Sequence, residues 1–262
     1  CVSDEVVVNF IRGICQQYRV TNAYHNFTHA FAVMHMVFSL VRKAKIYPLG
    51  QLDVLAMLVA AVCHDVDHPG TDNDFEVQCQ TDLAITYNDT SVLENHHVAT
   101  CFRTARQSDD HNIFDELEKK AYKHTRRVII ECIISTDMKN HFTMVAEIEK
   151  TNSLASDHKE ATAMNLMMHA ADIGSLLGPA PHTLEWTDRV MSEFDEQARK
   201  CREAGASVPA HMADLGSEGK RAKLQVDFID YIVTPLWKLL EAKDQKNVGP
   251  LLGMLAEARA NF

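Results

Sequence analysis

No stretch of this 262-residue chain is apolar for long enough to cross a bilayer. The longest run, Val54 to Cys63, stops far short of the roughly 20 residues that a spanning helix needs. A secretory signal pattern is missing, and so is any Cys-x-x-Cys pair. The seven cysteines, at 1, 15, 63, 79, 101, 132 and 201, are odd in number and scattered. That speaks against a disulfide framework and against zinc held by thiolates, so reduced thiols in a cytoplasmic setting are expected. Glycine and proline are sparse, at 10 and 7 residues, and form no linker-like tract. The expectation is one domain over residues 1–262. Basic residues number 26 against 36 acidic ones, without a run or stripe, and leave a net charge of -10. Nucleic acid and anionic membrane are therefore not expected as partners. An anionic substrate would need positive charge of another origin, and bound metal ions supply it. The chain opens on Cys1 rather than Met, which suggests a domain excised from a longer protein.

What the chain has in quantity is helix periodicity. Apolar residues recur at three and four in Val7, Phe10, Ile11, Ile14 and in Phe31, Met34, Val37, Phe38, Val41. The same spacing predicts helices near Leu52 to Cys63, Val92 to Ala105, Ala121 to Asp137, His141 to Lys150 and Lys159 to Ala171. It continues near Leu184 to Ala204, Lys223 to Leu240 and Gly249 to Arg259, and no alternating strand pattern competes. Pro48 to Gly50, Pro69-Gly70 and Gly178 to Pro181 read as turns. Residues 203–220, with three glycines and one proline, read as a mobile loop. Pro235 inside a helical pattern predicts a kink or a helix junction. The predicted class is all-α.

The densest chemistry lies at His64-Asp65-Val66-Asp67-His68-Pro69-Gly70, directly after an apolar helix. Two imidazoles and two carboxylates destabilise a buried site unless something compensates them. A metal ion does so: imidazole suits zinc, while carboxylate also holds magnesium or manganese. A polar loop closing the helix, with Asp67 and His68 as caps, would use the same residues. His25 and His29 share one face of a helix start. One can ligate metal while the other donates a proton, and a plain polar surface is the alternative. Asp172 ends a further apolar helix, as a cap or as a ligand. Together His29, His64, Asp65 and Asp172 make a donor set suited to a zinc-type ion with positions left for water.

The order and spacing of YHNFTHA (24–30), AAVCHDVDHPGTDN (60–73), NDTSVLENHH (88–97), STDM (135–138), HAADI (169–173), EWTDRVMSEF (185–194) and LQVDFIDYIVTPLW (224–237) carry a resemblance. The chain resembles the catalytic domain of class I 3′,5′-cyclic nucleotide phosphodiesterases, within the HD metal-dependent phosphohydrolases. The resemblance implies a compact multi-helix domain with a deep metal-containing pocket. It implies Zn2+ at a first site made by His29, His64, Asp65 and Asp172, with Asp65 bridging to Mg2+ or Mn2+ at a second. It also implies that Glu94, His68 and Thr136 orient the waters and bridging hydroxide of those ions, through hydrogen bonds that fix ligand geometry. His25 would be the general acid for the departing 3′-oxygen. For the base, Phe228 would stack on the purine, Val190 cover its other face and Gln225 bond its edge, with Tyr24 and Ser175 nearby. Gln225 and Phe228, three apart, share a helical face. Without the flanking motifs, Val190 and Phe228 read as ordinary core, Glu94 as a helix-surface carboxylate and Thr136 as a helix-end hydroxyl. His96 and His97 are expected to support the site rather than bind metal.

The implied reaction is hydrolysis of cAMP, and of cGMP as well, to the nucleoside 5′-monophosphate. The implied partner is the cyclic nucleotide, with no membrane contact through this domain and with room for a homodimer. Many cAMP-selective relatives carry Asn where this chain has Ser175, and a Pro-Thr-Lys-type continuation where it has Leu176-Leu177-Gly178. Use of both nucleotides is the expectation. The chain begins late for the family, and residues 203–220 diverge from it. Two other readings share these residues: an HD phosphohydrolase acting on a noncyclic nucleotide, and a module that binds cyclic nucleotide without cleaving it. Retention of His25 beside the full donor set speaks against the second, because binding alone needs neither.

Overall fold

A computed structural model describes residues 2–151 and 159–262. Cys1 lies outside them, and the six described cysteines are free. Every regular element among the described residues is helical, and none is long and apolar enough to cross a membrane. In chain order the helices are α1 (Asp4–Gln17), α2 (Phe27–Lys43), α3 (Gln51–Cys63), α4 (Asn73–Gln78), α5 (Asp82–Tyr87), α6 (Val92–Ala105) and α7 (Lys119–Ile134). There follow α8 (His141–Thr151), α9 (Lys159–Asp172), α10 (Ala180–Ala204), α11 (Glu218–Phe228), α12 (Thr234–Glu241) and α13 (Gln245–Ala260).

The apolar run anticipated in α3 is apolar on every side, and Ala56, Met57 and Val59 to Cys63 are all buried. A helix without a polar face belongs at the centre, and α3 packs between α2 and α7. Its last turn is tied off by Tyr18, whose buried hydroxyl donates to Val62 O at 3.0 Å and accepts the Asp65 N–H at 3.4 Å. Asn26 starts α2 by accepting the Thr28 and His29 N–H groups on its amide oxygen. Fully buried Trp237 on α12 donates its Nε1–H to Ala170 O at 3.1 Å, which anchors the end of α9. Three helix termini are thereby brought to one place.

The structure departs from the periodicity at definable points. The short helices α4 and α5 go unseen in the sequence because each is 6 residues long and buries one side chain, Glu76 and Ala84. Their caps, Asp72 and Thr81, start them where apolar patterning says nothing. Ala180 and Pro181 belong to α10 rather than to a turn, since proline suits the first helical positions, where no N–H is needed. The stretch expected as a loop is shorter than 203–220, because α10 runs to Ala204 and α11 begins at Glu218. It is anchored by buried Met212 and Leu215 and by Ser207, whose N–H and hydroxyl donate to Gln78 Oε1. Pro235 behaves as expected. A π-helical turn, Ile229–Val233, separates α11 from α12, and Thr234 N–H reaches back to Ile229 O. A proline that cannot donate to the preceding turn favours such a widening.

Replacing Tyr18 by Phe removes the hydroxyl that serves both Val62 O and Asp65 N–H. Loss of about 1–3 kcal/mol of stability is expected, read as a lower urea midpoint. An unchanged midpoint would mean that the end of α3 is held by something else.

Candidate active site

His29 comes from the first turn of α2, His64 and Asp65 from the end of α3, and Asp172 from the last residue of α9. His29 Nε2 and His64 Nε2 stand 3.2 Å apart. Asp172 Oδ1 lies 3.1 and 3.0 Å from them, and Asp65 Oδ2 lies 3.3 and 3.0 Å away. Donors held about 2.0–2.1 Å from a tetrahedral zinc are spaced by about 3.3 Å. The four atoms therefore have the separations of a coordination polyhedron.

Proton placement supports the same assignment. His64 Nδ1 faces Ala61 O at 2.8 Å, so it carries a proton and Nε2 is the nitrogen available to a cation. That nitrogen looks at two carboxylate oxygens. Asp65 Oδ2 is buried and makes no hydrogen bond despite its close neighbours. Such a cluster requires a positive charge in its midst. Burial lowers the His64 pKa and raises those of Asp65 and Asp172, yet the attraction among these groups reverses all three shifts. His64 ends well above its ordinary value and both carboxylates well below. These residues fit a divalent cation.

Of the histidines expected to support the site, His97 lies near the other oxygen of Asp65. His97 Nδ1 donates to Val66 O at 2.8 Å and leaves Nε2 3.9 Å from Asp65 Oδ1. Burial holds the His97 pKa down at about 4, so the ring is neutral. Glu94 is held by Asn73 Nδ2, at 3.2 and 3.0 Å from its two oxygens. Burial, then the nearby Asp137 charge, pushes its pKa up to about 7. The Thr136 hydroxyl donates to Ile133 O at 2.8 Å, as a helix-end hydroxyl does. His96 pairs with Asp67 at 2.9 Å, away from the metal set.

His25 sits beside this cluster with a partner that sequence reasoning missed. Glu193 on α10 accepts the Tyr24 and His25 N–H groups on Oε2, at 2.9 and 3.1 Å, and its Oε1 pairs with His25 Nδ1. Burial opposes protonation of His25, but the Glu193 charge, then those of Asp65 and Asp172, lift its pKa to about 9. Burial raises the Glu193 pKa, and the His25 charge outweighs it, to about 2. The signal was present: Glu193 continues the stripe of Trp186 and Val190 and is buried like a core residue. His68 stacks on His25 at 4.0 Å, with ring planes at 14°. Its Nδ1 accepts the Gly70 N–H at 3.0 Å, so the neutral ring keeps its proton on Nε2. Burial and the His25 charge hold its pKa well below the ordinary value. His25, His68 and Glu193 also stand close enough to embrace an ion, but a His68 with its Nε2 protonated and its Nδ1 engaged has no lone pair to offer.

The expected base-binding residues are less concentrated. Tyr24 OH meets Ser175 Oγ at 3.4 Å, and its ring contacts those of His29 and Trp186. A cleft of about 360 Å³ reaches His29 and Asp172 past Ser175 and Trp186, between walls from α2 and α13. Gln225 is buried and Val190 and Phe228 are half-buried. None of these three borders that cleft, and Phe228 packs against the main core.

The fold is an all-helical domain, and its donor set fits a divalent cation. The family model for 3′5′-cyclic nucleotide phosphodiesterase matches residues 24–253, and the chain belongs to that family. It is 37% identical, over 98% of its length, to 3′,5′-cyclic-nucleotide phosphodiesterase regA of Dictyostelium discoideum, of which it spans 33%. It is 35% identical, over 94% of its length, to dual specificity calcium/calmodulin-dependent 3′,5′-cyclic nucleotide phosphodiesterase 1B of Mus musculus, of which it spans 46%. The chain thus covers less than half of either relative. The phosphodiesterase domain of the RhoPDE fusion protein from the choanoflagellate Salpingoeca rosetta superposes with a TM-score of 0.93 at 28% identity, over 99% of this chain and 83% of that one. LmjPDEB1 in complex with IBMX shares the fold, with a TM-score of 0.91 at 24% identity over 99% of this chain and 79% of that one.

If the four donors surround a cation, stripping divalent metal leaves buried lone pairs facing one another. The thermal midpoint should fall on chelation and recover with added zinc or manganese, because a ligand of the native state stabilises it. His64→Ala should show no such response. A wild-type midpoint indifferent to chelator would contradict the metal assignment.

Proposed function

We propose that this chain hydrolyses 3′,5′-cyclic nucleotides, both cAMP and cGMP, to nucleoside 5′-monophosphates. His29, His64, Asp65 and Asp172 would hold Zn2+, and Asp65 would share a second ion, Mg2+ or Mn2+, whose waters His68, Glu94 and Thr136 orient. What such ions supply when bound is Lewis acidity toward phosphoryl oxygens and a more acidic water. The remaining work falls to side chains. Protonated His25, gripped at Nδ1 by Glu193, presents its other N–H to the 3′-oxygen and protonates it as the ring opens, since an alkoxide is a poor leaving group near neutral pH. Neutral His68 offers an Nε2–H and His97 a lone pair, so one donates to water and the other accepts. Val190, Gln225 and Phe228 would hold the purine, with Tyr24 and Ser175 at its rim. The observation that carries this reading is the contrast between neighbours: four donors converge on one point with their lone pairs free, while a carboxylate keeps His25 protonated beside them.

Steady-state rates of the purified chain on cAMP, cGMP and nucleoside triphosphates test it. Cleavage of triphosphates alone would favour the noncyclic reading, and tight binding of cyclic nucleotide without turnover would favour a binding module. His25→Ala should keep its metal and lose about 10²- to 10⁴-fold in kcat. Because the raised His25 pKa must lie above the working pH for the acid to be loaded, activity is present below about 9 and is lost as pH rises through it. Glu193→Gln should move that alkaline limb down toward the ordinary histidine value of about 6.5. An unmoved limb would remove Glu193 from the account.

Selectivity should be weak. An amide such as Gln225 can flip to match either purine edge, and the Ser175 hydroxyl both donates and accepts. The kcat/KM values for cAMP and cGMP are expected to lie within about two orders of magnitude, or roughly 3 kcal/mol. Ser175→Asn should shift the ratio toward cAMP. A preference far above a hundredfold in the unmodified chain would refute dual use.

A further inference from the structure

The loop that carries His25 and the loop that carries the metal ligands come from different parts of the chain, and one buried side chain joins them. Asn22 Nδ2 has two hydrogens, and they go to two backbone carbonyls: His25 O at 3.0 Å and His68 O at 2.8 Å. The backbone of Asn22 is itself fixed, since its N–H donates to Arg19 O at 3.1 Å and its carbonyl accepts Asn26 Nδ2 at 3.0 Å. Room for the amide depends on Gly70, which has φ +73, and a Cβ there would stand 2.9 Å from Asn22 Oδ1. A second tie runs parallel. Asp67, in the left-handed region at φ 60, places its carboxylate between Arg19 Nε and His96 Nε2, both at 2.9 Å. Non-glycine residues adopt that backbone region only when their surroundings hold them there. The left-handed turns at Asp67 and Gly70 flank His68 on the chain, and both face the 19–22 segment.

We propose that Asn22 is a positioning residue, whose amide sets the register between His25 and the loop His64 to Gly70. The stacking of His25 on His68 is then a consequence of where the two carbonyls are held. The position of His25 relative to His64 and Asp65, which would hold the metal, is fixed in the same way. The inference rests on His25 being the general acid and adds the device that aims it. An Ala or Ser at 22 leaves both carbonyls without their shared donor and frees one loop to slide on the other. The metal ligands keep their own anchors, Asn26 for His29, Tyr18 for Asp65 and the Trp237 bond for the end of α9.

A double-mutant cycle with His25→Ala tests this. Asn22→Ser alone should retain metal and KM while kcat on cAMP falls roughly 10- to 100-fold, as expected for a misplaced reacting group. In the His25→Ala background the same substitution should lower kcat by less than about threefold, because the group it aims is already gone. An undiminished kcat in Asn22→Ser overturns the proposal, and so does an equal loss in both backgrounds, which marks general loosening. Should Asn22→Ser fail to fold, the isosteric Asn22→Asp enters the same cycle. A wild-type chain without activity on cyclic nucleotides would sink the function rather than the register. The register is then read by NMR: the ring-current shift of His68 from His25 must collapse in a folded Asn22 variant, and its retention overturns the proposal.

Discussion

Two imidazole nitrogens 3.2 Å apart, each 3.0 to 3.3 Å from two carboxylate oxygens in a largely buried cluster, are the constraint on which the rest of the structure depends. At that spacing lone pairs repel unless a cation lies among them. The fold meets the constraint with helix termini. The start of α2, the end of α3 and the end of α9 each deliver ligands, and each terminus is held by a side chain from elsewhere in the chain or just before it. The apolar run of α3 drives the convergence by burying Ala56, Met57 and Val59 to Cys63, and its polar exit at His64 and Asp65 is the point where the apolar core meets the site.

Around that centre the backbone decides which nitrogen of each histidine bears a proton. Ala61 O and Val66 O take the Nδ1 protons of His64 and His97, the Gly70 N–H occupies Nδ1 of His68, and Glu193 holds Nδ1 of His25. Five histidines within one cluster thus divide into two that face the carboxylates of Asp65 and Asp172, a neutral acceptor, a neutral donor and a ring that Glu193 keeps charged. Composition could not have distinguished them. The division arises because four of the rings, those of His25, His64, His68 and His97, each have a different fixed partner at Nδ1, which is how outer contacts tune a metal site in general.

Much of this is legible in the sequence. The crowding of His64, Asp65, Asp67 and His68 after an apolar run points to a metal site or a capped polar loop, and the helical class follows from three-four spacing. Asp172 was legible only through its motif, because a lone carboxylate at a helix end looks like a cap. Glu193 escaped notice for a physical reason: its partner His25 lies 168 positions away, and nothing local says that two distant helices meet there. Its one trace was a charged residue on an apolar stripe. Asn22 left no trace at all, since its role depends on the geometry of two turns. Helices α4 and α5 escaped because capping, rather than apolar periodicity, defines them. Thr136 illustrates the reverse case. The motif suggests a water-orienting hydroxyl, and with its proton given to Ile133 O the Thr136 oxygen is left as an acceptor, a direction that only the structure supplies.

The most direct measurement is anomalous diffraction at the zinc edge from crystals of the purified chain grown with zinc. The account predicts one strong peak within bonding distance of His29 Nε2, His64 Nε2, Asp65 Oδ2 and Asp172 Oδ1. A strong peak between His25, His68 and Glu193 in its place, or no ordered metal at all, would contradict it.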